Sequence, residues 1–158
     1  MQQLKYGMNT HIIPVFAPLD VVATDINTTH VKVSNALSCA FLLSFGVITG
    51  DTINITVEES TSAATTGAEA IGFGYRLSGD TASDTWGAVT TCDSLGATIT
   101  ASEDYMLLWI EVDLAEMSDD CNYVSVLGTT GGSMSECVVG AVAFLESRYD
   151  QLDPVSTT

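Results

Sequence analysis

The sequence predicts an all-β fold, an antiparallel β-sandwich of jelly-roll-like form with an extended arm at each end. Its apolar segments are short, rich in Val, Ile, Thr, Phe and Tyr, and bounded by Gly, Asp, Asn or Ser, as strands are. No long amphipathic helical period occurs, which argues against crossover helices. We expect an N-terminal arm over residues 1–10, one sandwich domain over 11–148 and a C-terminal tail over 149–158. The predicted strands cover residues 11–16, 21–23, 30–34, 40–48, 52–58, 70–77, 86–90, 97–100, 105–113, 122–127 and 136–145.

The clearest strand is the segment 52–58, in which apolar and polar residues alternate strictly. This alternation predicts that Ile53, Ile55 and Val57 face a core while the other side chains face water. Gly50 and Asp51 precede the segment, and a glycine supplies the positive φ that tight turns need. We therefore expect strands 40–48 and 52–58 to pair as an antiparallel hairpin. The stretch 60–70 is interpreted as a loop.

The segment 105–113 carries apolar residues on both of its faces. The more continuous apolar face holds Met106, Leu108, Ile110 and Val112. The opposite face holds Leu107, Trp109 and Glu111. Trp109 is thus a candidate for a second contact, at an interface with another molecule. After this strand, Asp113 is placed to cap a single helical turn over residues 114–119.

The charge balance restricts the partners of the chain. Four Lys and Arg residues stand against twenty Asp and Glu, for a formal net charge of −16. Nucleic-acid and anionic membrane surfaces need clustered cations, so the chain is expected to bind neither. Such an acidic surface favours solubility, and the alternative is attraction to a basic partner surface or to divalent cations.

The cysteines Cys39, Cys92, Cys121 and Cys137 show no CxxC spacing, and neither histidine lies near them in sequence, which argues against a zinc site. The first residues lack the pattern of a secretory signal. We therefore expect reduced, buried thiols, with two disulfides as the alternative.

Catalytic motifs are not evident. The stretch 131–135 ends in Ser135 where the nucleophile elbow needs Gly, and His11 and His30 have no carboxylate partner by spacing. The expectation is a protein without enzymatic activity. Calcium is the one cofactor considered, through two acidic loops that carry Asp80 and Asp84, and Glu116, Asp119 and Asp120. Neither loop has the EF-hand spacing, so a solvated acidic turn is the preferred interpretation.

Several short motifs together resemble a family. In order they are Pro18-Leu19-Asp20, Val31-Lys32-Val33-Ser34, the segment 50–58, Ser83-Asp84-Thr85-Trp86-Gly87, Ile110-Glu111-Val112-Asp113 and Leu145-Glu146-Ser147-Arg148-Tyr149 before Pro154. Their order is similar to that of small virion proteins of tailed bacteriophages, of the head decoration or cement type, and it covers most of the chain.

The resemblance implies a β-sandwich on the outer surface of the capsid, assembled in the host cytoplasm. It implies the major capsid protein as partner and clustering at threefold points, which favours a homotrimer. The main alternative is a tail, neck or host-recognition β-module, since such sandwiches also serve there. A third is a bacterial surface or secreted binding domain.

The two arms are the predicted contact regions. They lie outside the strand pattern; Lys5 stands beside Tyr6 in the first arm, and Arg148 adjoins the second arm at Tyr149. Tyr adds apolar contact area at small entropy cost. The candidate contact residues are Lys5, Tyr6, Arg148, Tyr149 and Pro154. The alternative is that Arg148 and Tyr149 only finish the last strand.

Overall fold

The computed structural model describes residues 10–22, 24–79 and 83–148, which form two antiparallel sheets packed against each other. The predicted all-β sandwich is therefore confirmed. In chain order the strands are β1 (Thr10–Asp20), β2 (Ile26–Asn27), β3 (Val31–Lys32), β4 (Ala36–Thr49), β5 (Ile53–Ser60), β6 (Glu69–Ile71), β7 (Phe73–Leu77), β8 (Thr90–Cys92), β9 (Ala97–Ile99), β10 (Leu107–Val112), β11 (Tyr123–Thr130) and β12 (Glu136–Ser147). A short 3-10 helix covers Ala101–Glu103.

The chain passes repeatedly from one sheet to the other. The first sheet has the strand order β1-β12-β4-β10-β7-β8. The second follows the order β2-β11-β5-β6, and it also contains β3, which pairs with β11, and β9, which pairs with β5. The longest strands, β4 and β12, lie side by side near the middle of the first sheet.

The core lies between the sheets and follows the predicted alternation. Ile53, Ile55 and Val57 are fully buried, while the polar residues between them are partly exposed. In β10 the inward residues Leu108, Ile110 and Val112 are likewise buried. Both facing assignments are confirmed. Burial of apolar area of this kind stabilises the fold by about 25 cal/mol for each Å² removed from water.

The predicted hairpin between strands 40–48 and 52–58 is wrong. β4 pairs with β12 and β10 in the first sheet, whereas β5 pairs with β11, β6 and β9 in the second. Gly50 does adopt a positive φ of 103°, but it turns the chain from one sheet to the other. The Asp51 carboxylate fixes this corner, because it accepts hydrogen bonds from the backbone N–H groups of Thr52 (2.8 Å) and Ser133 (3.2 Å). These bonds lower the pKa of Asp51.

Three other predicted strands need correction. The segment 70–77 is divided at Gly72 into β6 and β7, which belong to different sheets. The segment 86–90 forms only an isolated bridge between Trp86 and Ser78, and a strand begins at Thr90. The segment 21–23 is no strand where it is described, since Val22 lies in a turn. Short apolar runs show that a segment is buried but do not show which neighbour it pairs with.

The strand β1 forms one edge of the first sheet and is interrupted in two ways. Pro14 and Pro18 lie within it, and its register against β12 shifts after Pro14 and again after Phe16. The carbonyl oxygen of Val15 accepts a hydrogen bond from the backbone N–H of Thr29 (2.9 Å). Proline is found on edge strands because it cannot donate to a neighbouring strand.

We predict that Gly50→Ala destabilises the protein more than Gly67→Ala. Both glycines have positive φ, 103° and 81°, so each substitution introduces backbone strain of about 1–2 kcal/mol. At Gly50 a Cβ would also overlap the carbonyl oxygen of Ser133, whereas at Gly67 no atom lies within 4 Å. Chemical denaturation of both variants and the parent measures the difference. If both variants lose the same free energy of unfolding, the backbone around Gly50 accommodates the added Cβ and the prediction is wrong.

Candidate functional site

The outward side of the first sheet carries a continuous group of apolar side chains across four neighbouring strands. The pairing register places them in two adjacent rows, and direct partners in an antiparallel sheet point to the same face. We call this group the outer patch. It consists of Ile12, Pro14, Leu42, Trp109, Val142 and Phe144.

All six residues of the outer patch are at least partly exposed, and Ile12 retains 58% of its accessible surface. Antiparallel sandwich sheets usually have one apolar and one polar face. The second sheet follows this rule, since its outward residues include Asn54, Thr56, Glu58 and Thr129. The first sheet departs from it, because its outward side carries the outer patch.

Trp109 is held in a fixed orientation within the patch. Its indole Nε1–H donates to Oε1 of Glu111 at 2.8 Å, and its ring centroid lies 5.3 Å from that of Phe144 at an interplanar angle of 43°. The hydrogen bond satisfies the one polar atom of the indole, so its remaining surface is apolar. The prediction that Trp109 faces away from the core is confirmed, and its role at an interface stays a prediction.

Arg76 borders the patch on the next strand, where it pairs directly with Trp109. Its guanidinium carbon lies 5.2 Å from the ring centroid of Trp86, within the range of a cation–π interaction. Its Nε is buried and has no hydrogen-bond partner among the described residues. An unpaired buried donor costs about 1–3 kcal/mol.

Three acidic side chains lie at one end of this apolar face. Glu111 and Glu146 are exposed and point outward with the patch, and Asp113 is exposed just beyond the end of β10. Glu146 lies between Thr10 and Ser38 at one end of the face, where its Oε2 accepts from Ser38 Oγ at 3.3 Å. A partner surface that complements this arrangement has basic side chains beside an apolar area.

A shallow groove of about 520 Å³ lies beside the patch, between β7, β8 and the end of β10. Its polar lining includes the carboxylates of Glu111, Asp113 and Glu116 and the thiol of Cys92. Partial burial raises the pKa of Cys92, so this thiol is protonated near neutral pH and is a poor nucleophile. The groove lining therefore supplies no activated nucleophile.

The two histidines each lie beside a serine that is distant in sequence. His11 Nε2 is 3.1 Å from Ser147 Oγ, and His30 Nε2 is 3.3 Å from Ser125 Oγ. Glu58 pairs with Ser125 in the sheet and acts to raise the pKa of His30, but burial outweighs it and lowers that pKa. This serine, histidine and carboxylate grouping was missed by sequence reasoning. Because Ser125 is fully buried, its hydroxyl is closed to a substrate.

The acidic loops considered for calcium do not gather a ligand set in the part of the chain that the structure describes. Within residues 10–22, 24–79 and 83–148, no three His, Cys, Asp or Glu side chains are grouped so that they could hold a metal ion. Asp80 lies outside the described residues. The Asp113 carboxylate accepts from the backbone N–H of Ala115 at 2.9 Å, but residues 114–119 form turns and bends, so the predicted helical turn is wrong.

Most of the predicted arm contacts fall outside the described residues. These are Lys5, Tyr6, Tyr149 and Pro154. Arg148 directly follows β12; it is exposed, and its backbone N–H donates to the carbonyl oxygen of Asn35 at 3.0 Å. Its side chain is thus available to a partner.

Comparison with protein-family models, with curated proteins and with solved structures gave no match. The phage resemblance therefore stays a prediction. In the described ranges, no helix has the length and hydrophobicity needed to cross a membrane.

Sequence reasoning found Trp109 but missed the outer patch as a whole. The signal was present in the runs 40–48 and 136–145, which are apolar at nearly every position rather than at every second one. Such runs are typical of strands covered on both faces. Here one of those faces is left partly open. The pairing of Arg76 with Trp86 carried no sequence signal.

The structure forms no disulfide among the four cysteines. Burial raises the pKa of Cys39 to about 12. Burial, together with the charges of Asp20 and Asp104, raises that of Cys137 to about 11. Cys121 also has a raised pKa, with desolvation the first cause and neighbouring carboxylates the second.

We predict that two thiols react slowly or not at all in the folded protein and that all four react after unfolding without reductant. Cys39 and Cys137 are buried and protonated, whereas Cys92 and Cys121 are partly exposed. A chromogenic thiol reagent, applied before and after addition of guanidinium, gives both counts. Fewer than four thiols after unfolding would contradict the prediction of reduced cysteines.

Proposed function

We propose that this chain is a structural virion protein of a tailed bacteriophage, which binds the outside of the head shell through its outer patch and stabilises the shell. The observation that carries this proposal is the outer patch, an aromatic and apolar face exposed on an otherwise strongly acidic molecule. The motif order that resembles phage head proteins supplies the identity of the partner.

The composition of the face supports a protein–protein contact. Trp and Arg are the residue types most enriched among the side chains that dominate binding energy, and both tryptophans of the chain lie at or beside the outer patch with Arg76. At about 4.8 Å spacing the six strands of the first sheet span roughly 24 Å, and the four strands that carry the outer patch span roughly 14 Å of it. A face of this width can contribute much of the ~800 Å² that one partner buries in a standard interface.

The charge of the molecule indicates the chemistry of the partner. The acidic end of the patch complements a shell surface in which basic side chains lie beside an apolar area. Attraction between these surfaces also speeds the encounter. In free solution the same net charge opposes nonspecific self-association through the patch, so the apolar face stays available until the protein clusters on the shell.

Other parts of the proposal follow the resemblance. We place the protein on the outer surface of the virion, clustered around threefold points as a homotrimer. The arms, with Lys5, Tyr6, Arg148, Tyr149 and Pro154, add contacts to neighbouring capsid subunits. The proposed function needs no catalytic residue and no cofactor. Many modest contacts repeated over a closed shell are collectively strong.

We predict that Val142→Gln, combined with Ile12→Gln, weakens binding to heads that lack this protein by about tenfold or more, because both side chains lie in the outer patch. Leu95→Gln is the matched control. Leu95 is 78% exposed, and its carbonyl oxygen accepts from the Asn54 side chain on the second sheet. Binding isotherms give the affinity of each variant for the heads, and melting temperatures show whether each variant is as stable as the parent.

Deletion of residues 2–8 or of residues 149–158 distinguishes binding through the outer patch from binding through the arms. If these truncations abolish binding while the glutamine variants bind as the parent does, the outer patch is not the contact surface. If the parent itself does not bind heads, and virion gels show few copies per particle, the assignment to the head is wrong and a tail or neck location takes its place.

We predict that particles without this protein release their DNA at a lower temperature than complete particles do. Each bound copy adds contacts that must break before the shell opens, and these act against the pressure of the packaged DNA. A dye-release scan of both particles measures the shift. Adding back the purified parent protein should restore the release temperature. Identical curves for the two particles would contradict a stabilising role.

A further inference from the structure

The position of Arg76 suggests how the face selects its partner, and this inference rests on the proposed function. Arg76 points outward from β7 beside Trp109 and is one of only four cations in the chain. Lys32 is exposed on β3 in the second sheet, and Arg148 lies beyond the end of β12. Arg76 is thus the one cation among the described residues that lies within the aromatic part of the face.

The guanidinium is held in place by its surroundings. Trp86 covers it at 5.2 Å, and Trp86 is itself fixed by a bridge to Ser78 and by the hydrogen bond from Gly87 N–H to the carbonyl oxygen of Leu77 (2.8 Å). Aromatic stacking restricts a guanidinium while its edge stays able to donate. The Arg76 side chain therefore loses little further freedom when it binds.

Arg76 is not neutralised by the acid nearest in the sheet register. Glu111 lies two residue pairs away along β10, where it pairs with Gly74, and its Oε1 already accepts the Trp109 indole N–H. The buried Nε of Arg76 has no hydrogen-bond partner among the described residues. Among the described residues Arg76 has no carboxylate in an ion pair, although Glu111 lines the same small cavity, and such a cation beside aromatic side chains favours an acidic group brought by the partner.

We propose that Arg76 binds the side-chain carboxylate of an Asp or Glu residue on the shell protein, which enters the face between Trp86 and Trp109. The planar guanidinium matches a carboxylate with two parallel hydrogen bonds, and exclusion of water by the surrounding apolar side chains strengthens them. The acidic side chains at one end of the face repel a carboxylate there, so a partner acid is favoured where it contacts the Arg76 guanidinium directly.

The test compares three variants for binding to heads that lack this protein. Arg76→Gln removes the charge, Arg76→Lys keeps the charge without the planar fork, and Lys32→Gln makes the same charge change on the second sheet. We expect Arg76→Gln to weaken binding by about tenfold or more, Arg76→Lys to weaken it by a smaller factor, and Lys32→Gln to leave it unchanged. Circular dichroism and melting curves establish that each variant is folded.

A double-mutant cycle identifies the partner acid. Each exposed Asp or Glu of the shell protein within the footprint is changed to Asn or Gln, and binding is measured with the parent and with Arg76→Gln. One shell substitution whose effect disappears in the Arg76→Gln background supports the proposal.

The proposal is overturned if every shell substitution is additive with Arg76→Gln, or if Arg76→Gln binds as tightly as the parent. If the outer-patch variants still lose binding in that case, the proposed function stands without the carboxylate contact. Failure of the parent to bind any head refutes both.

Discussion

The antiparallel pairing of β4 with β12 is the constraint on which the rest of the structure depends. Both strands are apolar on both faces, so each has two sides that must be covered. The inner side packs against the second sheet, and Phe41, Leu43 and Ala143 are buried there. Flanking strands satisfy the backbone, but they cannot cover the outer side chains. The outer patch is therefore a direct result of how this pair of strands is built.

The fold keeps most of the negatively charged side chains apart from this apolar face. Carboxylates occupy loops and one end of the patch, while indole and guanidinium groups lie where a partner would cover them. The Trp109 hydrogen bond to Glu111 and the stacking of Arg76 on Trp86 fix these groups in advance. A surface that is ordered before contact loses less conformational entropy on binding, which favours a specific interface over nonspecific adhesion.

The sequence predicted the fold class and the facing of residues well, because alternation depends only on the period of a strand. Ile53, Ile55, Val57 and the two faces of β10 illustrate this. Pairing could not be predicted in the same way. Gly50 has the backbone geometry of a turn, yet whether that turn joins two neighbours or two sheets depends on β12, which is distant in sequence.

The candidate site was harder to predict than the fold class, because its residues are brought together by strands that are distant in sequence. Arg76 meets Trp109 across β7 and β10, and Trp86 meets Arg76 only because a bridge to Ser78 holds it there. None of these contacts follows from local spacing. Trp109 could be assigned to an outward face from its own strand, which is why it alone of this group was predicted.

The irregular edge strand has a consequence for how the chain behaves in crowded solution. β1 contains Pro14 and Pro18, is shifted in register twice, and has one of its carbonyl groups, that of Val15, engaged by Thr29. At the opposite edge β8 has only three residues. Neither edge is a good template for an incoming strand, so fibril growth by strand addition is disfavoured. A sheet this apolar can therefore be produced in many copies without polymerising along its edges.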